Sequence, residues 1–353
     1  MANIHGGNLR LANERFGRRE YLDFSANINP LGVPEAFRAV WYDLIAGEAL
    51  AQYPDIDCTR LREAIGRLID IEPGSIVCGN GASELLHIAI AAKQPENVLL
   101  MEPCFAGYAL AALANHARIT RLITNAECQF EWDIDDLDLR DVDLLILGNP
   151  NNPTSRGMTK AKLDALLQVC HDENVDVILD EAFIDLMYSG HSAIECTVKN
   201  EHVLVIRAWT KSLAIPGVRL GYAVGARSWI DAMKMHQVEW SVNAFAQAIA
   251  VALPGLMDYQ HNTQAWLAQE IPEYTKQIQA LPHITGYVPQ SNFMLWRFNG
   301  EHPQRLMEDM AQEGVLIRHC QNFYGLDERY FRTAIRSREE NKRLFAALRR
   351  CVE

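Results

Sequence analysis

The chain has 353 residues, 49% of them hydrophobic and 22% charged, and a formal net charge of −12. Its length exceeds the usual size of one domain, so two domains are expected. The negative charge argues against a nucleic-acid or anionic-membrane partner, because long-range repulsion opposes approach to either, and favours a small-molecule substrate. An anionic substrate stays compatible, since arginines inside a pocket act at contact range.

The eight cysteines are scattered, with no CxxC pair and no histidine at metal-ligand spacing. They are expected to be reduced thiols, and no metal site is predicted. The first twenty residues lack a signal-like apolar stretch, and no apolar run approaches the roughly 20 residues that span a bilayer. These features predict a cytoplasmic protein without a membrane partner.

In chain order, residues 1–32 are predicted to form an N-terminal arm that joins a small C-terminal domain and ends in the turn signal Asn29-Pro30-Leu31-Gly32. Residues 33–253 alternate apolar, β-branched runs with segments of helical period, which predicts a large domain built on a mostly parallel sheet covered on both faces. The predicted strands are 97–101, 142–147, 175–179 and 202–206, and the predicted helices are 83–92, 160–171 and 229–240.

Residues 254–353 mix shorter strands with helices and predict a small α+β domain. Ser337 is a plausible N-cap for the final helix, with Glu339 and Glu340 in its first turn. The predicted helices are 263–281, 303–313 and 337–352, and strands are expected at 292–298 and near Val315 and Phe331.

Four separated segments have the chemistry to hold one cofactor. In the first, Lys211 follows the strand that ends at Arg207, and small or apolar neighbours surround it. A lysine in that setting can lose its proton and attack an aldehyde, and Arg219, eight residues on, can reach a phosphate. Taken alone, the pair is more typical of a surface lysine and a helix-surface arginine.

The other three segments follow the same logic. Asp180 ends a buried strand, where α/β ligands bind, and could keep a pyridine nitrogen protonated; its alternative is a helix N-cap. Asn152, within Asn149-Pro150-Asn151-Asn152-Pro153-Thr154, offers a rigid amide donor to a phenolate oxygen or is merely part of a turn. Gly79-Asn80-Gly81-Ala82-Ser83-Glu84 precedes a helix whose free amides could bind a phosphate.

In this order and spacing, the four segments resemble the fold-type I pyridoxal-phosphate enzymes, specifically the histidinol-phosphate aminotransferase branch, over nearly the whole chain. The resemblance implies an α/β fold like that of aspartate aminotransferase, with a seven-stranded, mostly parallel sheet. It implies pyridoxal 5'-phosphate as the cofactor and a homodimer. The implied cofactor contacts are Lys211 through a Schiff base, Asp180 at the ring nitrogen, Asn152 at the ring hydroxyl, Tyr108 stacked on the ring, Ala82, Ser83, Thr210 and Arg219 at the phosphate, and Tyr53 reaching the partner subunit's phosphate.

Two positions depart from that branch. Phe183 stands where many of its aminotransferases have tyrosine, so a second hydrogen bond to the ring oxygen is missing. Ala208 stands where relatives often present a hydroxyl to the phosphate. Neither departure removes a group that the chemistry requires.

The N-terminal sequence His5-Gly6-Gly7-Asn8 and residues 22–32, 240–244 and 330–337 are similar to the threonine-phosphate decarboxylase family, and Phe183 agrees with it. That resemblance implies decarboxylation of L-threonine O-3-phosphate to (R)-1-amino-2-propanol phosphate for the cobalamin nucleotide loop. It implies substrate contacts from His5, Asn27, Asn152, Arg318 and Arg332, with either arginine meeting the phosphate. The alternatives are a histidinol-phosphate aminotransferase, a serine-phosphate decarboxylase and a non-catalytic regulator of the same fold.

Overall fold

The computed structural model describes residues 6–352, and within that range no helix is both long and apolar enough to cross a membrane. The N-terminal segment and the larger part of the chain contain α1 (Leu9–Phe16), β1 (Leu22–Asp23), α2 (Glu35–Ala46), α3 (Thr59–Ile69), β2 (Ile76–Gly79), α4 (Ala82–Lys93), β3 (Asn97–Glu102), α5 (Ala106–Ala114), β4 (Arg118–Ile123), β5 (Leu144–Gly148), α6 (Lys160–Asp172), β6 (Asp176–Asp180), α7 (Ile194–Thr197), β7 (Val203–Ala208), α8 (Trp209–Ser212), β8 (Gly221–Gly225), α9 (Arg227–His236) and α10 (Ala244–Ala248).

The central sheet has seven strands in the order β2-β8-β7-β6-β5-β3-β4. Strand β8 is antiparallel to both of its neighbours, β2 and β7, and the other neighbouring pairs are parallel. The predicted α/β fold with a mostly parallel, seven-stranded sheet is confirmed. Alternating residues of one strand face different cores: Leu145 and Leu147 pack into one, Leu144 and Ile146 into the other. Because each core is covered by helices, the middle positions of the inner strands are apolar, as in residues 177–179 of β6 and 203–206 of β7.

The four predicted strands of this sheet agree with the structure to within two residues at each end. The helix predicted over 229–240 is wrong at its end, because α9 stops at His236 and an extended residue, Gln237, follows it. The helix predicted from 263 begins earlier, at Met257.

The C-terminal part contains α11 (Met257–Gln279), β9 (Ile284–Gly286), β10 (Phe293–Phe298), α12 (Leu306–Gln312), β11 (Val315–Leu316), β12 (Arg318–His319), β13 (Tyr330–Ala334) and α13 (Arg338–Val352). Its antiparallel sheet has the order β12-β13-β10-β9. Ser337 caps α13 as predicted: its hydroxyl accepts the Glu340 amide at 3.4 Å, and Glu340 accepts the Ser337 amide at 3.1 Å.

The N-terminal segment joins both parts of the molecule. Strand β1 pairs in parallel with β11, placing Leu22 beside Val315. Further on, the side-chain amide of Asn29 donates to the Ser212 carbonyl at 2.8 Å and to the Thr263 hydroxyl at 2.9 Å. The segment between these anchors, residues 24–28, is therefore held beside α8. The division at residues 32 and 253 stays a prediction.

Candidate active site

A cleft of about 260 Å³ opens at the carboxyl ends of β5, β6 and β7, where the central sheet meets β12, β13 and the N-terminal segment. Polar segments follow each of these strands, so parallel pairing brings them to one edge of the sheet. The cleft is lined by eleven of the predicted site residues: Asn27, Ala82, Ser83, Tyr108, Asn152, Asp180, Thr210, Lys211, Arg219, Arg318 and Arg332. His5 lies outside the described residues.

Lys211 lies on the single turn of α8, directly after β7. Burial, and then the positive charges of Arg332 and Arg219, together lower the pKa of its amine to about 8. Its backbone is held in place, because the Asn29 amide donates to the Lys211 carbonyl at 3.0 Å. The backbone at Lys211 is therefore fixed, and its amine is more readily deprotonated than that of an exposed lysine.

Asp180 is the last residue of β6, and both of its carboxylate oxygens accept a hydrogen bond. The Ala182 amide donates to Oδ1 at 2.9 Å, and the Tyr108 hydroxyl donates to Oδ2 at 2.8 Å. Burial raises the pKa of Asp180, while these two donors act to lower it. Tyr108 was predicted only as a stacking aromatic, and no sequence pattern indicated its bond to Asp180.

The start of α4 forms one end of the cleft. Gly81 precedes the helix with φ of +85° and no side chain caps it, so the first amides, those of Ala82 and Ser83, have no intrahelical partner. A Cβ on Gly81 would lie 2.6 Å from Nη2 of Arg219, which shows how closely that guanidinium approaches the turn. Amides and a guanidinium directed at one point suit a phosphate group.

Two buried arginines form the opposite end. Arg318 and Arg332 are directly paired on the neighbouring strands β12 and β13. Arg332 donates to the Ser25 carbonyl at 2.8 Å and also to Oδ1 of Asn152, which joins the N-terminal segment to the loop after β5. Arg318 donates to Oδ1 of Asn322 at 2.6 Å.

Several polar atoms at this end are buried without a hydrogen-bond partner among the described residues. They are both side-chain atoms of Asn27, which is 2% exposed, and Nε of Arg332. Leaving such groups unsatisfied costs free energy, so their position beside the arginines indicates a bound polar ligand. Anionic groups of a ligand could accept hydrogen bonds from the two donors, Nδ2 of Asn27 and Nε of Arg332.

The apolar wall of the cleft includes residues that sequence reasoning missed. Phe105 and Phe323 line it, and neither lies in a pattern that distinguishes it from a core phenylalanine. Gly6 and Ser25 also line it, within segments whose similarity was noticed without a role for these residues. Phe183 lines the cleft and packs edge-on against Phe293, with ring centroids 4.9 Å apart. As a phenylalanine, it has no hydroxyl to donate to the ring oxygen.

Tyr53 does not reach the cleft of its own chain. It is 81% exposed and packs on Trp240 with ring centroids 4.8 Å apart. Other exposed apolar side chains lie on α2, in the loop between α2 and α3, and just after α9. They are Tyr42, Ile45, Leu50, Ile56 and Val238. So many exposed apolar side chains suit a protein interface.

A family model described as aminotransferase class I and II matches residues 19–348. The chain is 36% identical to the threonine-phosphate decarboxylase of Salmonella typhimurium, covering 98% of this chain and 95% of that one. It is 32% identical to the adenosylcobalamin biosynthesis bifunctional protein CobDQ of Leptospira interrogans, covering 97% and 40%. The solved histidinol-phosphate aminotransferase of Clostridium acetobutylicum superposes with a TM-score of 0.87 at 29% identity, covering 93% and 98%. Enzymes of these families depend on pyridoxal phosphate.

Proposed function

The chain belongs to the aminotransferase class I and II family, and we propose that it decarboxylates L-threonine O-3-phosphate to (R)-1-amino-2-propanol phosphate. The observation that carries this proposal is the 36% identity to a threonine-phosphate decarboxylase along 98% of the chain. The paired arginines Arg318 and Arg332 support it, because this substrate has two anionic ends, a carboxylate and a phosphate. The similarity to the Leptospira protein supports a place in cobalamin biosynthesis.

The cleft's donors fit pyridoxal 5'-phosphate as the cofactor. Lys211 would hold its aldehyde carbon, Asp180 its ring nitrogen and Asn152 its ring hydroxyl. Its phosphate would be bound by the free amides at the start of α4, with Thr210 and Arg219 beside them. When bound, this group withdraws electrons from the Cα bond that breaks.

The chain's own residues then perform three tasks. Lys211 or a water returns a proton to Cα after carbon dioxide has left, a task that suits an amine whose pKa is about 8. Asp180 keeps a proton on the ring nitrogen through its negative charge. Arg318 and Arg332, with Asn27, grip the substrate's anionic ends and so determine which Cα bond stands perpendicular to the ring, which is the bond that breaks. His5 is proposed to complete the phosphate subsite, although it lies outside the described residues.

We further propose a homodimer. The exposed Tyr53 and the apolar side chains around it would be covered by a second subunit, and Tyr53 would reach that subunit's cofactor phosphate. A cytoplasmic location is part of the same proposal, as is expected of an enzyme whose eight cysteines are free thiols in the structure.

The proposed reaction is tested by incubating the loaded enzyme with L-threonine O-3-phosphate and measuring carbon dioxide. We expect stoichiometric carbon dioxide and aminopropanol phosphate. Serine O-phosphate in the same assay tests the variant substrate, which differs by one methyl group. An enzyme that releases no carbon dioxide but converts histidinol phosphate in the presence of 2-oxoglutarate would be an aminotransferase, and the proposal would be wrong.

The reactivity of Lys211 should depend on pH in a specific range. Because only the neutral amine attacks an aldehyde, cofactor uptake by cofactor-free protein should accelerate as pH rises toward about 8 and then level off. An ordinary lysine would keep gaining reactivity up to about pH 10.4. Stopped-flow absorbance after mixing with pyridoxal 5'-phosphate measures the rate; a rate that still climbs steeply above pH 9 would contradict a lowered pKa.

Gly81→Ala should weaken cofactor binding. The new Cβ would meet Arg219 at 2.6 Å, and the backbone φ of +85° disfavours any side chain. We expect affinity for pyridoxal 5'-phosphate to fall about tenfold, as for the loss of one charge-assisted hydrogen bond. Gly17→Ala is the matched control, since its φ is +93° but nothing lies within 4 Å of the added Cβ. Equal loss of affinity in both variants would show that Arg219 is not the cause.

A further inference from the structure

The hydroxyl of Tyr108 is held at one particular place. Tyr108 lies in the first turn of α5, is 2% exposed, and packs edge-on against Phe105 with centroids 5.5 Å apart. Its hydroxyl donates to Oδ2 of Asp180 at 2.8 Å. Strand β5 leaves room for it, since a Cβ added to Gly148 would lie 3.2 Å from the Tyr108 oxygen. The contact is thus set by packing on two sides.

The orientation of the Asp180 carboxylate depends on this hydroxyl, because the carboxylate is buried and has few donors. Its other recorded donor, the Ala182 amide at 2.9 Å, belongs to the adjoining turn and binds Oδ1. Oδ2 is bonded to Tyr108, which comes from a different element. Among residues 6–352, the tyrosine is therefore the one donor that fixes the rotation of the carboxylate from outside the chain segment that contains Asp180.

We propose that the Tyr108 hydroxyl is a positioning group for Asp180, which orients the carboxylate and favours its ionised form. This inference rests on the proposed function, in which the charge of Asp180 keeps the cofactor's ring nitrogen protonated. Tyr108 then has a role that a stacked phenylalanine could not fill, because the ring alone donates no hydrogen bond.

The electrostatic surroundings agree with this role. Burial, and then the charge of Asp180, hold the pKa of Tyr108 well above its usual range, so the hydroxyl stays protonated and remains a donor. Cys104 faces the tyrosine, and burial holds its pKa well above the usual range, so the thiol stays neutral. Glu181 turns away and pairs with Arg207 at 3.1 Å. The charged side chains that line the same cleft are Lys211, Arg219, Arg318 and Arg332.

Tyr108→Phe in the cofactor-free protein separates this role from ring stacking. The ionisation of Asp180 is followed by isotope-edited infrared spectroscopy of aspartate carboxyl groups, with Asp180→Asn subtracted to assign the band. We expect the Asp180 titration midpoint in Tyr108→Phe to move to higher pH than in the wild type, because a donor to the charged form is lost.

The loaded enzyme provides the second measurement. We expect Tyr108→Phe to lower kcat by about 10- to 100-fold, the range for losing a hydrogen bond to a charged group, with KM changed less than threefold. Tyr274→Phe is the matched control, since it removes another fully buried hydroxyl, which donates to Thr333 at 2.7 Å, outside the cleft. Its Asp180 midpoint should equal that of the wild type.

An unchanged Asp180 midpoint together with an unchanged kcat in Tyr108→Phe would overturn the inference. If that variant does not fold, Gly148→Ala replaces it: the added Cβ would lie 3.2 Å from the hydroxyl and 3.1 Å from backbone atoms of Pro150 and Asn151, so the hydroxyl must shift and the midpoint should again rise, and no rise would count against the proposal. Failure of the proposed function looks different, because wild-type enzyme would then release no carbon dioxide, whereas the titration in the cofactor-free protein would still report on Tyr108.

Discussion

Replacing Lys211 with alanine is expected to abolish turnover and the visible absorbance of covalently held cofactor. No other lysine lines the cleft in the described part of the chain, so no second amine can replace it. Loss of a nucleophile that also moves protons lowers kcat by on the order of 10,000-fold or more. Absorbance spectra after reconstitution, together with carbon dioxide release, measure both effects.

Two further variants make this result specific. Lys162→Ala removes another lysine whose pKa is lowered by burial, but one that contacts Trp132 away from the cleft, so full absorbance is expected. Lys211→Arg keeps a positive charge that does not deprotonate, so it should behave like Lys211→Ala. Wild-type absorbance and turnover in purified Lys211→Ala would refute the assignment.

The inner strands of the sheet could be predicted because runs of consecutive apolar residues indicate strands that are buried on both faces. Residues 144–147 and 177–179 are apolar throughout, and in the structure these parts of β5 and β6 are buried. Two other strands of the sheet, β4 and β8, lack such an apolar run. In β4, an edge strand, every residue is exposed or only partly buried, and β8 begins and ends in glycine, so neither was predicted.

The part of the site that could be predicted consists of residues that directly follow a predicted strand. Asn152, Asp180 and Lys211 each follow a strand that was predicted, and parallel pairing then places the three together. Contacts between distant segments have no such signal. The hydroxyl of Tyr108 meets Asp180 across 72 residues, and Arg332 meets Ser25 across 307, because tertiary packing brings those elements together.

The two arginines at the far end of the cleft are expected to have different tasks. Among the charged side chains, Arg332 contributes most to lowering the pKa of the Lys211 amine, which indicates that its guanidinium lies near that amine. The carboxylate of threonine phosphate is attached to the carbon whose nitrogen reacts, and its phosphate lies further away along the side chain. We therefore expect Arg332 to bind the carboxylate and Arg318 the phosphate.

Arg332→Gln should accordingly lower kcat/KM for threonine phosphate about 1,000-fold, because a buried charge pair with a carboxylate is lost. The affinity for aminopropanol phosphate, which lacks the carboxylate, should differ less than threefold between the wild type and Arg332→Gln. Calorimetry measures this affinity in both proteins. Arg318→Gln is the matched control, on the paired position of the next strand, and should weaken binding of both compounds. If Arg332→Gln instead weakened both compounds equally, Arg332 would bind the phosphate, and the two assignments would have to be exchanged.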